Sequence, residues 1–162
     1  MKILITGVAG LLGSKLADWI LENTDNDVIG IDDLSGGYVD NINPKIKFHK
    51  FNLLDTNKVN DVFKENKIDI VYHFAAYAAE GLSPFIRRYN YENNLITSIN
   101  LINASITYGI GRFVFASSMS VYGNKYEPPF SEDLQQAPID PYGVAKFSVE
   151  QDLQIAYEQH GL

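Results

Sequence analysis

The stretch Lys2-Ile3-Leu4-Ile5-Thr6-Gly7-Val8-Ala9-Gly10-Leu11-Leu12-Gly13 decides the fold class. Its first half is a short apolar run, and its second half breaks that run with glycines three residues apart. Such a run reads as a strand buried on both faces, as strands of a parallel sheet are. The glycines then suit a strand-to-helix turn. Gly7 makes the tight bend, Gly10 lets backbone approach a pyrophosphate at the helix N-terminus, and Gly13 lets the helix pack closely on the strand. A glycine-rich turn without a ligand is the alternative reading of the same residues.

Outward from this unit the alternation repeats. Short runs rich in Ile, Val and Phe predict strands over residues 2–6, 27–31, 46–50, 68–74 and 112–117. Helical spacing appears at Leu12, Leu16 and Ile20, again at Val59, Val62 and Phe63, and along a long helix over 84–108 whose stripe is Leu95, Ile99, Ile102 and Ile106. A last helix is expected over 141–159, with Gly161 as its stop. Loops fall at 34–44 and 124–138, and no internal repeat or interdomain linker interrupts the chain. Repeated β-α units of this kind build an α/β fold around a doubly wound parallel sheet with helices on both faces.

Composition removes several classes of function. With 162 residues, 46% of them hydrophobic and 20% charged, the chain is an ordinary globular domain that needs no covalent staple. It has no cysteine, so disulfides, thiolate metal sites and a cysteine nucleophile are excluded. Thirteen Lys and Arg against 20 Asp and Glu give a net charge of −7, which repels nucleic acid and anionic lipid. An anionic ligand must therefore be held by local groups. The first residues lack the apolar core of a signal peptide, and no stretch reaches the ~18 apolar residues of a membrane span, so a cytoplasmic location is expected.

Nineteen residues beyond Gly13, at the end of the second predicted strand, stands Asp32, where a carboxylate can accept both hydroxyls of an adenosine ribose. Asp33 is either the ligand in its place or a turn residue. No Arg or Lys lies between Asp32 and Pro44 to receive a 2′-phosphate, which favours NAD over NADP. The turn also lacks the Gly-Lys-Ser/Thr of a phosphoryl-transfer loop.

A second constellation lies downstream. Ser117-Ser118 closes the fifth predicted strand, and Tyr142-Gly143-Val144-Ala145-Lys146 opens the last helix. Residues four apart share a helix face, so Lys146 reaches a ligand that Tyr142 touches. A cation beside the phenol favours its ionised form, making Tyr142 a general base, with Ser118 orienting the same substrate oxygen. Tyr-x-x-x-Lys pairs also occur on ordinary solvated helices. The position of this one, 24 residues after a strand-end serine, is what gives it weight.

Together these stretches resemble the extended short-chain dehydrogenase/reductase family, within it the NAD-dependent nucleotide-sugar epimerases and dehydratases. The resemblance rests on residues 6–13, Val71-Tyr72-His73-Phe74-Ala75-Ala76, Asn93-Asn94-Leu95, Phe115-Ala116-Ser117-Ser118-Met119-Ser120-Val121-Tyr122-Gly123 and Pro141-Tyr142-Gly143-Val144-Ala145-Lys146. It implies a Rossmann-like sheet of strand order 3-2-1-4-5 and NAD as cofactor. By the same resemblance Leu11 and Leu12 face the pyrophosphate, Asp32 the ribose, and Asn52 with Leu53 the adenine. Phe74, Ala75 and Ala76 line the dinucleotide, Asn94 holds the long helix against the cofactor loop, and Ser117, Tyr142 and Lys146 complete the cofactor contacts. Asn52 departs from the family's usual Asp, and Ala78 stands where the 4-epimerases often carry Lys.

The 4,6-dehydratases follow their hydroxyl residue with an Asp-Glu pair, where this chain has Met119 and Ser120. The resemblance thus points to an epimerase acting at C4 of a UDP-hexose through a 4-keto intermediate. It implies a homodimer formed by helices 84–108 and 141–159. It also implies further strands and a substrate-binding part beyond residue 162, so that this chain is an N-terminal portion. An NAD-binding module or split-enzyme half without turnover, and a nucleotide-sugar reductase or dehydrogenase, are the alternatives. Elsewhere, His73 is expected as a packed core histidine and Trp19 as helix packing on the sheet. Arg87 and Arg88 are expected on a solvated face, and His49 and His160 are too isolated for a metal site.

Overall fold

The computed structural model describes all 162 residues. Five strands, β1 (Lys2–Thr6), β2 (Asp27–Asp32), β3 (Lys47–Lys50), β4 (Ile70–His73) and β5 (Arg112–Phe115), form one sheet. All pairings are parallel and the order is β3-β2-β1-β4-β5, as the resemblance implies. Strand β1 is central, with Leu4 opposite both Ile29 and Val71. Successive side chains point to opposite faces, so β1 feeds two cores at once. Ile3 and Ile5 pack with Val28 and with Ala17 and Ile20 of α1 (Leu11–Asn23). Leu4, Ile29 and Val71 pack with Val59, Val62 and Phe63 of α2 (Thr56–Glu65) and with Leu101 and Ala104 of α4 (Thr97–Tyr108). The long α5 (Pro141–His160) joins α4 through Ile102, Val149 and Ala156.

Chain direction across the sheet reverses between β1 and β4, which opens a crevice at their carboxyl ends. Helix α5 opens at Pro141 and stops at Gly161 as read from sequence, and its N-terminal cap, Asp140, is an addition of the structure. Asp140 accepts from the Gly143 amide at 2.9 Å, Pro141 occupies the first turn, and Gly161 ends the helix in the left-handed region at φ 75°.

Three expectations are corrected. The helix over 84–108 is divided into a 3₁₀ turn (Glu80–Phe85), α3 (Arg87–Tyr91), a π turn (Glu92–Ile96) and α4. Its stripe serves a different neighbour from the sheet: Leu95, Ile102 and Ile106 face α5, while Leu101 and Ala104 face the sheet. Strands β3, β4 and β5 are shorter than predicted, since Ile46 and Ile68 are buried at strand approaches without belonging to the ladder. Finally, Trp19 is 58% exposed and Leu12 63%. The face of α1 that meets the sheet is built from Gly13, Ser14, Ala17 and Ile20, because the close helix-to-strand approach leaves room only for small residues near its start.

Candidate active site

At the carboxyl end of β1 the chain turns at Gly7, whose φ is 71°. A side chain there would be strained, and its Cβ would lie 2.7 Å from the Ala75 amide nitrogen. A Cβ on Gly13 would lie 2.2 Å from the Gly7 carbonyl oxygen. The turn therefore admits no bulk at these two positions, as the sequence reading required. Gly10 begins α1 without any side-chain cap, so the amides of its first turn stay free for a ligand. Leu11, 75% exposed, and Leu12 flank that opening.

A cleft of about 200 Å³ lies beside this turn. Gly7, Gly10, Asp32, Asp33, Asn52, Leu53, Phe74, Ala75 and Ala76 all line it. Sequence reading missed Ser35, Gly36 and Gly37, and also Tyr77, Tyr89, Asn93 and Thr97 on the opposite wall. The Gly36-Gly37 pair was the available signal: a Cβ at Gly37 would lie 2.7 Å from the Ala9 carbonyl carbon, so this loop rests on the glycine turn. Nothing local marked the tyrosines.

The carboxylates at the cleft are already engaged. Asp32 accepts from the Ala9 amide at 3.0 Å and the Leu34 amide at 2.8 Å, tying the glycine turn to the end of β2. Asp33 accepts from the Ser35 amide and hydroxyl and from the Asn52 side-chain amide at 2.7 Å. The departure at Asn52 thus has a local partner: an amide donates to Asp33 where a carboxylate would repel it. Leu34, between the two aspartates, has φ 64°, an uncommon value for a side chain of its size. Asn94 lies beneath the cleft. It accepts from the Tyr77 amide at 2.8 Å and donates to the Tyr77 carbonyl at 3.1 Å, holding the π turn against the segment after β4.

Ser118, Tyr142 and Lys146 gather past the end of β5. Ser118 caps the 3₁₀ turn Met119–Tyr122, and a Cβ on Gly143 would lie 2.6 Å from the Ser120 carbonyl oxygen, so α5 sits flush on that turn. Close approach at Gly143 is what brings Tyr142 beside Ser118. Lys146 is 3% exposed, and its Nζ donates to the Ala116 carbonyl at 2.8 Å and lies 5.7 Å from the Tyr142 ring centre. Burial lowers its pKa to about 8.

The phenol of Tyr142 departs from the expectation. Burial pushes it above its ordinary value, the Ser118 hydroxyl partly counters this, and Glu80 and Asp140 push it up further. Lys146 does not reverse that, because its ammonium is directed at the Ala116 carbonyl. Ser117 is exposed and donates to the Glu150 carboxylate on α5, and like Ser118, Tyr142 and Lys146 it is not among the residues lining the cleft. His73 is buried and packed, Arg88 is exposed and paired with Glu92, and no helix is long and apolar enough to cross a membrane.

The NAD dependent epimerase/dehydratase family matches residues 3–162. The chain belongs to that family. Among curated relatives, the UDP-glucose 4-epimerase of Bacillus subtilis is 36% identical over 160 residues, covering 94% of this chain and 47% of the relative. That of Streptococcus mutans is 33% identical over 165 residues, covering 100% and 49%. The chain thus spans about half the length of the curated relatives it matches. A solved UDP-glucose 4-epimerase from Thermotoga maritima, crystallised with UDP-glucose, superposes with a TM-score of 0.96 at 35% identity, covering 100% of this chain and 53% of that one. The Thermus thermophilus enzyme in complex with NAD superposes at 0.95 with 30% identity, covering 100% and 52%. The residues after Ser118 are the exposed Met119 and the buried Ser120, neither an acid.

Proposed function

We propose that this chain supplies the NAD-binding and proton-transfer half of a nucleotide-sugar epimerase that inverts C4 of a UDP-hexose through a 4-keto intermediate. The observation that carries the proposal is the meeting of Ser118, Tyr142 and Lys146 at the sheet's carboxyl edge, with the bulk-excluding glycine turn at the same edge. The uncapped start of α1 and the cradle that a Cβ would fill fit a dinucleotide pyrophosphate held by Gly7, Gly10, Leu11, Leu12 and Gly13. Asp32, Asp33, Asn52, Leu53 and Phe74 to Ala76 line one cleft, which supports assigning the aspartates to the ribose hydroxyls, Asn52 and Leu53 to the adenine, and Phe74 to Ala76 to the length of the dinucleotide.

Bound in that cleft, NAD would supply the hydride acceptor and donor for the sugar carbon. Tyr142 takes the proton of the 4-hydroxyl and gives it back, Ser118 orients that oxygen, and Lys146, on the same helix face, would favour the phenolate once its ammonium turns from the Ala116 carbonyl toward the phenol. Because neither Met119 nor Ser120 can protonate a leaving hydroxyl, oxidation is followed by hydride return and elimination is disfavoured.

The test is conversion of UDP-galactose to UDP-glucose without accumulation of NADH. Tyr142→Phe is expected to lower turnover at least ~100-fold while NAD still binds; equal activity in that variant would sink the assignment. We also propose a homodimer through the helical segment 84–108 and α5, where Ile96, Val144 and Ile155 are exposed. Light scattering decides it, and a monomer mass at working concentration defeats it.

A further inference from the structure

We propose that Phe115 is a positioning residue for Lys146: its ring, clamped between the His73 imidazole and the Lys146 ammonium, fixes where that ammonium sits and helps keep it charged. The inference rests on the role given to Lys146 above and adds the device that holds it.

Phe115 ends β5 directly opposite His73, which ends β4. The two rings lie 5.7 Å apart at 29°, and the Lys146 Nζ lies 4.6 Å from the centre of the Phe115 ring. This ammonium is buried and has one hydrogen-bond acceptor, the Ala116 carbonyl, with no carboxylate in ion-pair reach. An ammonium carries three donors, so a single carbonyl leaves most of its charge uncompensated. The electron-rich face of Phe115, at 4.6 Å, is the nearer of its two aromatic contacts, the Tyr142 ring lying at 5.7 Å, and such contacts gain strength where water is excluded.

His73 makes the stack rigid. Its Nδ1 lies 2.6 Å from the Thr6 hydroxyl and its Nε2 2.9 Å from the Ser98 hydroxyl. Ser98 donates its own proton to the Asn94 carbonyl, so it accepts from the ring; Nε2 therefore carries the proton and Nδ1 accepts from Thr6. Phe113 closes the other side, edge-on at 6.1 Å. A neutral imidazole is essential here, since a second cation in the stack would repel Lys146, and burial pushes the His73 pKa down to about 3. On its own helix the Tyr142 ring lies 5.7 Å from the ammonium, and Glu150, one turn further along, is engaged by Ser117. Ring identity at 115 thus acts on Lys146 through the π face and through nothing that titrates in the neutral range.

The experiment replaces Phe115 in the full chain with phenylalanines carrying progressively more ring fluorine, which keep the shape and drain the π face. The Lys146 titration is followed by its 13Cε resonance, assigned by its loss in Lys146→Met. The expected result is a stepwise fall in the pKa of Lys146, reaching about one pH unit for the perfluorinated ring, with Phe115→Tyr holding the parent value. A titration that stays flat across the series, in variants whose amide spectra match the parent, overturns the proposal. The two readings fail separately. A Tyr142 phenol that titrates identically in Lys146→Met would defeat the role of Lys146, whereas a Lys146 titration flat across the fluorine series defeats the stack alone.

Discussion

Asp32→Ala is expected to destabilise the chain before any cofactor is added. The carboxylate accepts two backbone amides, at 2.8 and 3.0 Å, in a partly buried setting. A hydrogen bond to a charged group contributes about 1.5–3 kcal/mol, and water can partly replace it here, so the two together amount to about 3 kcal/mol. The Leu34 amide is one of the two, and that residue already carries a left-handed φ of 64° that costs ~1–2 kcal/mol. Once released, the loop has reason to relax. For a domain of this size the expected fall in Tm is about 6–12 °C. Urea unfolding by circular dichroism, with the fluorescence of the single tryptophan as a second probe, measures it without NAD. An unchanged midpoint and slope in Asp32→Ala would refute the structural role. Asp32→Asn should fall between, since it keeps one acceptor and turns a donor toward the other amide. If the prediction holds, weaker NAD binding by Asp32→Ala combines a lost ribose contact with a loosened glycine turn.

The remaining expectations are briefer. Gly13→Ala gains ~1 kcal/mol in helix propensity, yet its Cβ would meet the Gly7 carbonyl oxygen at 2.2 Å, so a net loss of about 3 kcal/mol or more should appear in urea. His73 is neutral in the folded chain down to about pH 3, against an ordinary 6.5. Below pH 6.5 the unfolded chain binds a proton there that the folded chain does not, so stability falls with acidification by about 1.4 kcal/mol per unit until about pH 3. His73→Gln should remove that part of the acid slope, and an unaltered slope would show that other groups carry it. Asn52→Asp sets a second carboxylate against Asp33, with an expected cost of about 1–3 kcal/mol near neutral pH that shrinks in acid as the pair takes up a proton. Unfolding midpoints compared near neutral and acid pH check it, and a cost independent of pH would refute the charge argument.

Much of the fold was legible because its signals are local. Short runs rich in Ile, Val and Phe pointed to the five strands, Gly7 and Gly13 to the turn, and Pro141 and Gly161 to the two ends of α5. The π turn was not legible, because its cause is the Asn94 amide reaching a backbone 17 residues away. Trp19 and Leu12 were misread for a related reason. Helical spacing says which residues share a face, while the clearance beneath α1 decides which face turns inward. Ser117 and Ser118 are neighbours of one type, and only the position of Glu150 and of the turn after β5 separates their directions.

Sequence by itself determined the α/β class, the bulk-free glycine turn, the Tyr142-Lys146 spacing and the absence of an acid pair after Ser118, since each is a property of residues close along the chain. Tertiary structure alone decided that Asp32 and Asp33 are already bound to backbone and to Asn52. It also decided that the Tyr142 phenol is raised, and that Lys146 rests on a ring held by His73. Burial, charge and hydrogen-bond geometry depend on which distant strands and helices meet, and spacing along the chain does not encode them.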